Sequence, residues 1–466
     1  MQNFQTSKFV GFVVRGFTLI LIMSMVLPSC NKPEKGQEYL ATFMTADPGH
    51  FHAALVQKVM YDEVNPEVYV YAPEGPDVQD HLNRIEGFNT REENPASWKV
   101  NKYIGPDFFS KLLEEKPGNV VNFSGNNQKK TEYIHEAVKN GINVYSDKPM
   151  VINTQDFELL KEAFKLAEEN DVLLYDVMTE RFEITSILQK ELANTASVFG
   201  EFEPGTPDNP SITKESVHHF FKYVAGNEIK RPGWFFDVEQ EGDGIVDVTT
   251  HLVDLVQWAC YPERILDYKK DIEMTKATRW ATSLNSAEFN KVTSLKEFPD
   301  YLKKDLVNDS TLEVFSNGEM IYKLIDVYAK VKVEWKYKAP DGAGDTHFSV
   351  MRGTMANLEI RQGPEENYKP ELYIFPNDVP ENWEKSLESY INKLKGKYTG
   401  LKLIPYQNGY KLFIPDEFRV GHEGHFGQVT EKFLEYLKSG KLPDWEVPNM
   451  IAKYYTTTAA FELAKE

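Results

Sequence analysis

Cysteine is nearly missing. The 466-residue chain carries 2, Cys30 and Cys260, so no disulfide framework is available and the fold must rest on its core. Positive charge is short as well: 52 Lys and Arg stand against 71 Asp and Glu, a formal charge of −19. Phosphate binding needs a basic surface, so no nucleic-acid partner is expected. Long apolar runs are confined to the beginning, where Phe17 to Leu27 is too short to span a bilayer comfortably at ~20 residues. No internal repeat and no low-complexity segment is visible. His218, His219, His422 and His425 lack a convincing ligand spacing, and no metal site is expected.

What is present at the beginning has the form of an address. Lys8 and Arg15 precede the apolar run, and "LPSC" brings small residues up to Cys30. This pattern resembles a bacterial lipoprotein signal. Residues 1–29 are then expected to be removed, Cys30 to carry lipid, and residues 30–38 to form a polar tether. The expected location is exported and lipid-anchored, facing the periplasm, with no other membrane contact.

From Tyr39 to about residue 178, short apolar runs alternate with helical stretches. "YLATFMTA", "EVYVYAP", "NVVNFSG", "INVYSD" and "DVLLYDV" read as strands, with helix-period segments between them. That alternation predicts a doubly wound parallel sheet covered on both faces, a Rossmann-like domain over 39–178. Residues 179–466 change character. "AKVKVEWKYKAP" and "THFSVMRGTMANLEIRQG" read as antiparallel strands, a helix spans Thr185 to Asn194, and the tail is helical again. A C-terminal α+β domain on an open, mainly antiparallel sheet is expected, for substrate binding and oligomerisation.

One stretch concentrates chemistry. "DVTTHLVD" places Asp247, His251 and Asp254 at i, i+4 and i+7, on one face of a helix. Apolar residues surround them, and the turn Gly242-Asp243-Gly244 precedes them. An Asp–His pair at this spacing alone fits a solvated face, a metal half-site or a catalytic pair. Two more motifs narrow the choice: "INVYSDKPMV", which ends a strand in Asp147-Lys148-Pro149, and "ERF" at Glu180 to Phe182. In order and separation, these motifs resemble the Gfo/Idh/MocA family of NAD(P)-dependent sugar and polyol oxidoreductases.

The resemblance implies residue roles. Lys148 falls on the family's Glu-Lys-Pro lysine, with Asp147 where glutamate is usual. It implies His251 as general acid/base, Asp247 as its orienting or substrate-binding carboxylate, and Lys148 as the cation that favours an alkoxide. Arg181, Trp234 and Asp254 are candidate substrate contacts, with buried core as the other reading of Trp234 and a structural hydrogen-bond acceptor as the other reading of Asp254. The family's G-x-G-x-x-G-x-x-H turn matches "MTADPGHFH", where Met44 and Ala46 replace the first two glycines and only Gly49 and His52 remain. Ala46, Gly49, His52, Glu74, Ser124, Asn126 and Lys148 are the implied contacts of NAD or NADP. The expected activity is oxidoreduction at a secondary hydroxyl or keto group of a sugar, sugar derivative or cyclic polyol. NAD-dependent glycoside hydrolysis or elimination through a transient keto-sugar, and non-catalytic carbohydrate binding by a lipoprotein, are the alternatives. A homo-oligomer is also expected from the resemblance.

Overall fold

The computed structural model describes residues 38–466 apart from 225, 226 and 341. Cys30, the signal segment and most of the tether lie outside the described residues. Tyr39–Glu466 forms one compact unit. No helix among the described residues is long and apolar enough to cross a membrane.

Six strands build the first sheet: β1 (Phe43–Ala46), β2 (Glu67–Ala72), β3 (Lys99–Ile104), β4 (Val120–Phe123), β5 (Asn143–Ser146) and β6 (Leu174–Asp176). Their order is β3-β2-β1-β4-β5-β6 and every pairing is parallel. β1 and β4 are buried along their whole length, as strands covered on both faces must be. The order reverses between β1 and β4, and the crevice at their carboxyl ends is where such sheets bind ligands. The helix Thr154–Glu169 starts where the Asn153 side chain accepts from Asp156 N–H at 2.8 Å, satisfying an otherwise orphaned amide.

The second sheet runs, from one edge, Ile272–Asn285, Thr311–Leu324, Val327–Lys338, β7 (Ile212–Phe221), Thr346–Arg352, Ala356–Arg361, Glu371–Pro376, Gly409–Phe413 and Lys402–Tyr406. Val327–Lys338 alternates between buried and half-buried residues over most of its length, as a sheet with two unlike faces requires. This strand was expected to be antiparallel to its neighbours. It is antiparallel to Thr311–Leu324 but parallel to β7; alternation reports which face is buried, not strand direction.

The chain then returns to its beginning. The helices Gly421–Ser439 and Glu446–Leu463 place Phe426, Val429, Phe433, Leu434, Met450 and Tyr454 in the core of the first sheet. Phe433 stacks on Tyr145 of β5 with ring centroids 4.6 Å apart. The end of the chain thereby closes one side of the cavity described next.

Candidate active site

A cavity of about 1130 Å³ lies between the two sheets, walled by His50, Lys148, Glu180, Glu241, Asp247 and His251 among others. Lys148 leaves the end of β5 in a turn whose Lys148–Pro149 peptide is cis. Asp147 Oδ1 accepts from Lys148 N–H at 2.9 Å, fixing the turn. Across the cavity, Gly244 lets the backbone approach Thr311–Leu324: a Cβ there would lie 1.9 Å from the Ser316 carbonyl oxygen. The chain then enters the helix Thr249–Cys260, with Asp247 in the turn just before it and His251 in its first turn.

The Lys148 ammonium is ion-paired with the Asp247 carboxylate. Burial works against the lysine's charge, but Asp247, Asp147 and Glu241 outweigh it and hold its pKa above the ordinary value. His251 is different. Burial, followed by the charge of Lys148, pushes its imidazole well below the usual pKa, and Nδ1 has no partner among the described residues. It is therefore a neutral imidazole that lines the cavity, with the unpartnered Nδ1 itself buried. Asp247 Oδ1 meets Lys148, and no hydrogen bond among the described residues joins the Asp247 carboxylate to the His251 ring, so of its two expected roles the orienting one is corrected.

Two acids complete the wall that the motifs did not single out. Burial pushes the Glu180 carboxyl up to about 7, with the charge of Glu183 adding to the shift. Burial also raises Glu241 well above the carboxylate range, with Asp247 as the second cause. The signals were present in "ERF" and "EQEGDG", but sequence does not show which acid a cavity desolvates.

Other expected contacts lie elsewhere. Arg181 donates to both oxygens of Asp254 at 2.7 Å and to Glu446 at 2.8 Å. Asp254 also accepts from Lys453 at 2.9 Å. Neither Arg181 nor Asp254 lines the cavity, so the substrate role expected of them is corrected to a buried structural cluster. Burial opposes the charge on Asp254, but Arg181 and Lys453 prevail and hold it far below the carboxylate range.

Trp234 is also redirected. Its indole N–H donates to Asp77 Oδ2 at 2.6 Å, and a Cβ on Gly49 would lie 2.8 Å from its ring. The ring thus covers the turn after β1 and does not border the cavity. The amides of Gly49 and His50, which would cradle a diphosphate, both donate to the Ser124 carbonyl at 3.1 and 3.0 Å. Gly125 is pressed against the Asp47 carbonyl, where a Cβ would lie 2.0 Å away. Asn126 donates to Gln240 at 2.7 Å. Burial pushes the nearby Asp47 carboxyl up to about 6, with Asp77 adding to the shift. Glu74 is exposed at the end of β2. Ala46 ends β1 buried and, like Ser124 and Asn126, is outside the cavity wall. The donors are spent and the surroundings are acidic, so the residues around this turn do not fit a bound dinucleotide diphosphate. Of the residues assigned to the cofactor, only His52 and Lys148 face the cavity.

Fold and cavity together define an oxidoreductase-type chain: a Rossmann-like sheet, a second domain on an open sheet, and a lysine, an aspartate and a histidine on the walls between them. The chain belongs to the family described as "Putative oxidoreductase C terminal domain", whose model matches residues 188–465. A solved structure described as a putative oxidoreductase from Parabacteroides merdae is 55% identical, covering 91% of this chain and 97% of its own, with a TM-score of 0.89. Levoglucosan dehydrogenase, in complex with NADH and levoglucosan, shares the fold at 10% identity and a TM-score of 0.56, covering 91% of this chain and 97% of its own. KijD10, a 3-ketoreductase from Actinomadura kijaniata in complex with NADP, shares it at 12% identity and 0.53, covering 91% and 97%. No curated protein matches the chain.

Proposed function

We propose that the chain acts in this cavity on a secondary hydroxyl or keto group of a sugar, sugar derivative or cyclic polyol. One observation carries the reading: Lys148, which ends a strand of the first sheet, and His251, on a helix of the second domain, face one cavity in complementary states. His251 is a neutral base that takes up the proton of a hydroxyl or of carbon beside a carbonyl. Lys148 stays charged and stabilises the oxygen that becomes negative, while Asp247 positions the ammonium. Glu180, with its proton held to about 7, is placed to return one. These proton steps are common to oxidation of an alcohol and to elimination next to a carbonyl. The closed turn after β1 favours the second on a substrate that already carries the carbonyl: loss of the proton beside it expels the β-substituent, which leaves with a returned proton, and no electron acceptor is needed.

Solvent exchange tests the base directly. The full chain is incubated with keto-sugars in deuterium oxide, with and without NAD or NADP, and exchange beside the carbonyl is followed by NMR. Exchange is expected without added nucleotide and should fall by about 10²–10⁴-fold in His251→Ala. Wild-type exchange no faster than buffer, or full exchange in His251→Ala, ends the reading. The same proposal keeps export, a lipid on Cys30, a periplasm-facing location and a homo-oligomer, on the support of the "LPSC" segment and the family resemblance. Cys30→Ala should move the protein from the membrane to the soluble fraction.

A further inference from the structure

Two histidines of the cavity wall take no part in those steps. His50 and His52 flank Phe51 after the Gly49 turn, and both rings meet Asp147. Asp147 Oδ2 lies 2.9 Å from His52 Nδ1 and 3.7 Å from His50 Nδ1. One ligand atom from each of the three residues lies within 4.8 Å of the others. Around a first-row divalent cation with bonds of ~2.0–2.2 Å, neighbouring ligand atoms sit ~3.0–3.5 Å apart. The two measured separations bracket that range.

We propose that His50, His52 and Asp147 form a binding site for a first-row divalent cation of the zinc type, opening onto the cavity. Two imidazole nitrogens and one carboxylate oxygen are a donor set used by zinc and non-haem iron where coordination positions are left open. The carboxylate is oriented in advance, because its other oxygen accepts from Lys148 N–H. The His52 ring is packed against Phe426 and His422, with centroids 4.6 and 5.3 Å away. Two cations stand beside the cluster: Lys148, paired with Asp247, and Lys130, which donates to the Asp147 carbonyl at 3.3 Å. His50 and His52 also line the cavity, so the remaining positions of the ion would face a substrate oxygen, which it would polarise as a Lewis acid. The ion's ligand class rests on the carbohydrate reading above, but the binding of the ion does not.

The test uses the full chain stripped with a chelator, desalted, and titrated with Zn²⁺ or Co²⁺. Calorimetry should give one equivalent of Zn²⁺, and Co²⁺ should develop visible absorption of low-symmetry coordination. Affinity should fall by about 100-fold or more in His50→Ala and in Asp147→Asn, and stay unchanged in His425→Gln, which alters a cavity histidine outside the cluster. Should Asp147→Asn misfold, the milder His50→Gln, checked by circular dichroism, carries the same expectation. Absence of stoichiometric uptake by the wild-type chain, or equal uptake by the His50 variants, overturns the proposal. Lys148→Met separates the two readings: it should lose exchange activity and still bind the ion.

Discussion

At the scale of single residues, Trp234 decides what the turn after β1 can hold. Its ring stands against Gly49, the one glycine kept from the fingerprint, and its N–H is bonded to Asp77. Gly49, the fingerprint's third glycine, serves close helix–sheet packing there and here allows close approach by an indole. Trp234→Ala should cost stability, about 3–5 kcal/mol for a buried tryptophan, read from the urea midpoint. It should also raise the affinity for NADH at least tenfold over a weak wild-type value, measured by fluorescence titration. Tight NADH binding by the wild type, weakened in the variant, would show that the ring supports a dinucleotide. The lysine makes a sharper case. Lys148→Met removes the charge that steadies a developing oxyanion, and activity should drop by about 10²–10³-fold, the scale of losing one such donor.

At the scale of elements, a buried ion cluster joins parts of the chain that lie far apart in sequence. Lys453, in the helix Glu446–Leu463, meets Asp176 of β6 at 2.6 Å and Asp254 of the helix Thr249–Cys260 at 2.9 Å. Arg181 connects Asp254 to Glu446, and the Tyr454 hydroxyl donates to Asp176 at 3.0 Å. Lys453→Met leaves two buried carboxylates short of a counter-charge and should destabilise by about 3–5 kcal/mol. A loss below about 1 kcal/mol in equilibrium unfolding would mean that the cluster positions these elements without holding them. This cluster also shows why sequence reading erred. The i, i+4, i+7 spacing predicts one helix face, but Asp247 lies in the turn before the helix and Asp254 lies away from the cavity. His251 points to the cavity, and Asp254, less than one turn on, points to Arg181. Nothing local distinguishes them, since the partners are 73 and 199 residues away. Five of the first sheet's strands were legible because they are apolar runs between helices. β3 was not, because an edge strand with half-buried and exposed residues, "KVNKYI", carries no apolar run. The helix-period segment between β1 and β2 forms an α-helix only over His52–Leu55. The carbonyls that would continue it are capped from outside, with Gln57 accepting from the Trp98 indole at 2.6 Å and Lys58 from Arg91 at 2.8 Å.

At the scale of the whole molecule, the cavity holds ionisable groups in both neutral forms, and their effects on stability oppose each other. His425 is buried, and desolvation lowers its pKa to about 4. Between pH 6.5 and 4 the unfolded chain binds a proton there that the folded chain refuses. This group's contribution is therefore complete above pH 6.5 and is lost as pH falls towards 4, by about 1.4 kcal/mol per pH unit. Glu180 has the opposite sign. Its folded pKa of about 7 lies above the ordinary carboxylate value, so the folded chain keeps a proton that the unfolded chain releases, and stability is lost as pH rises from about 4.5 to 7. Single variants should separate the two. Relative to wild type, His425→Gln should become progressively more stable as pH is lowered from 6.5 to 4. Glu180→Gln should become progressively more stable as pH is raised from 4.5 to 7. Urea midpoints of the full chain at half-unit pH steps, with m-values checked for constancy, measure both slopes. Parallel curves for wild type and both variants would mean that neither group is desolvated in the folded protein, and the retained acid assigned to Glu180 would lose its physical basis.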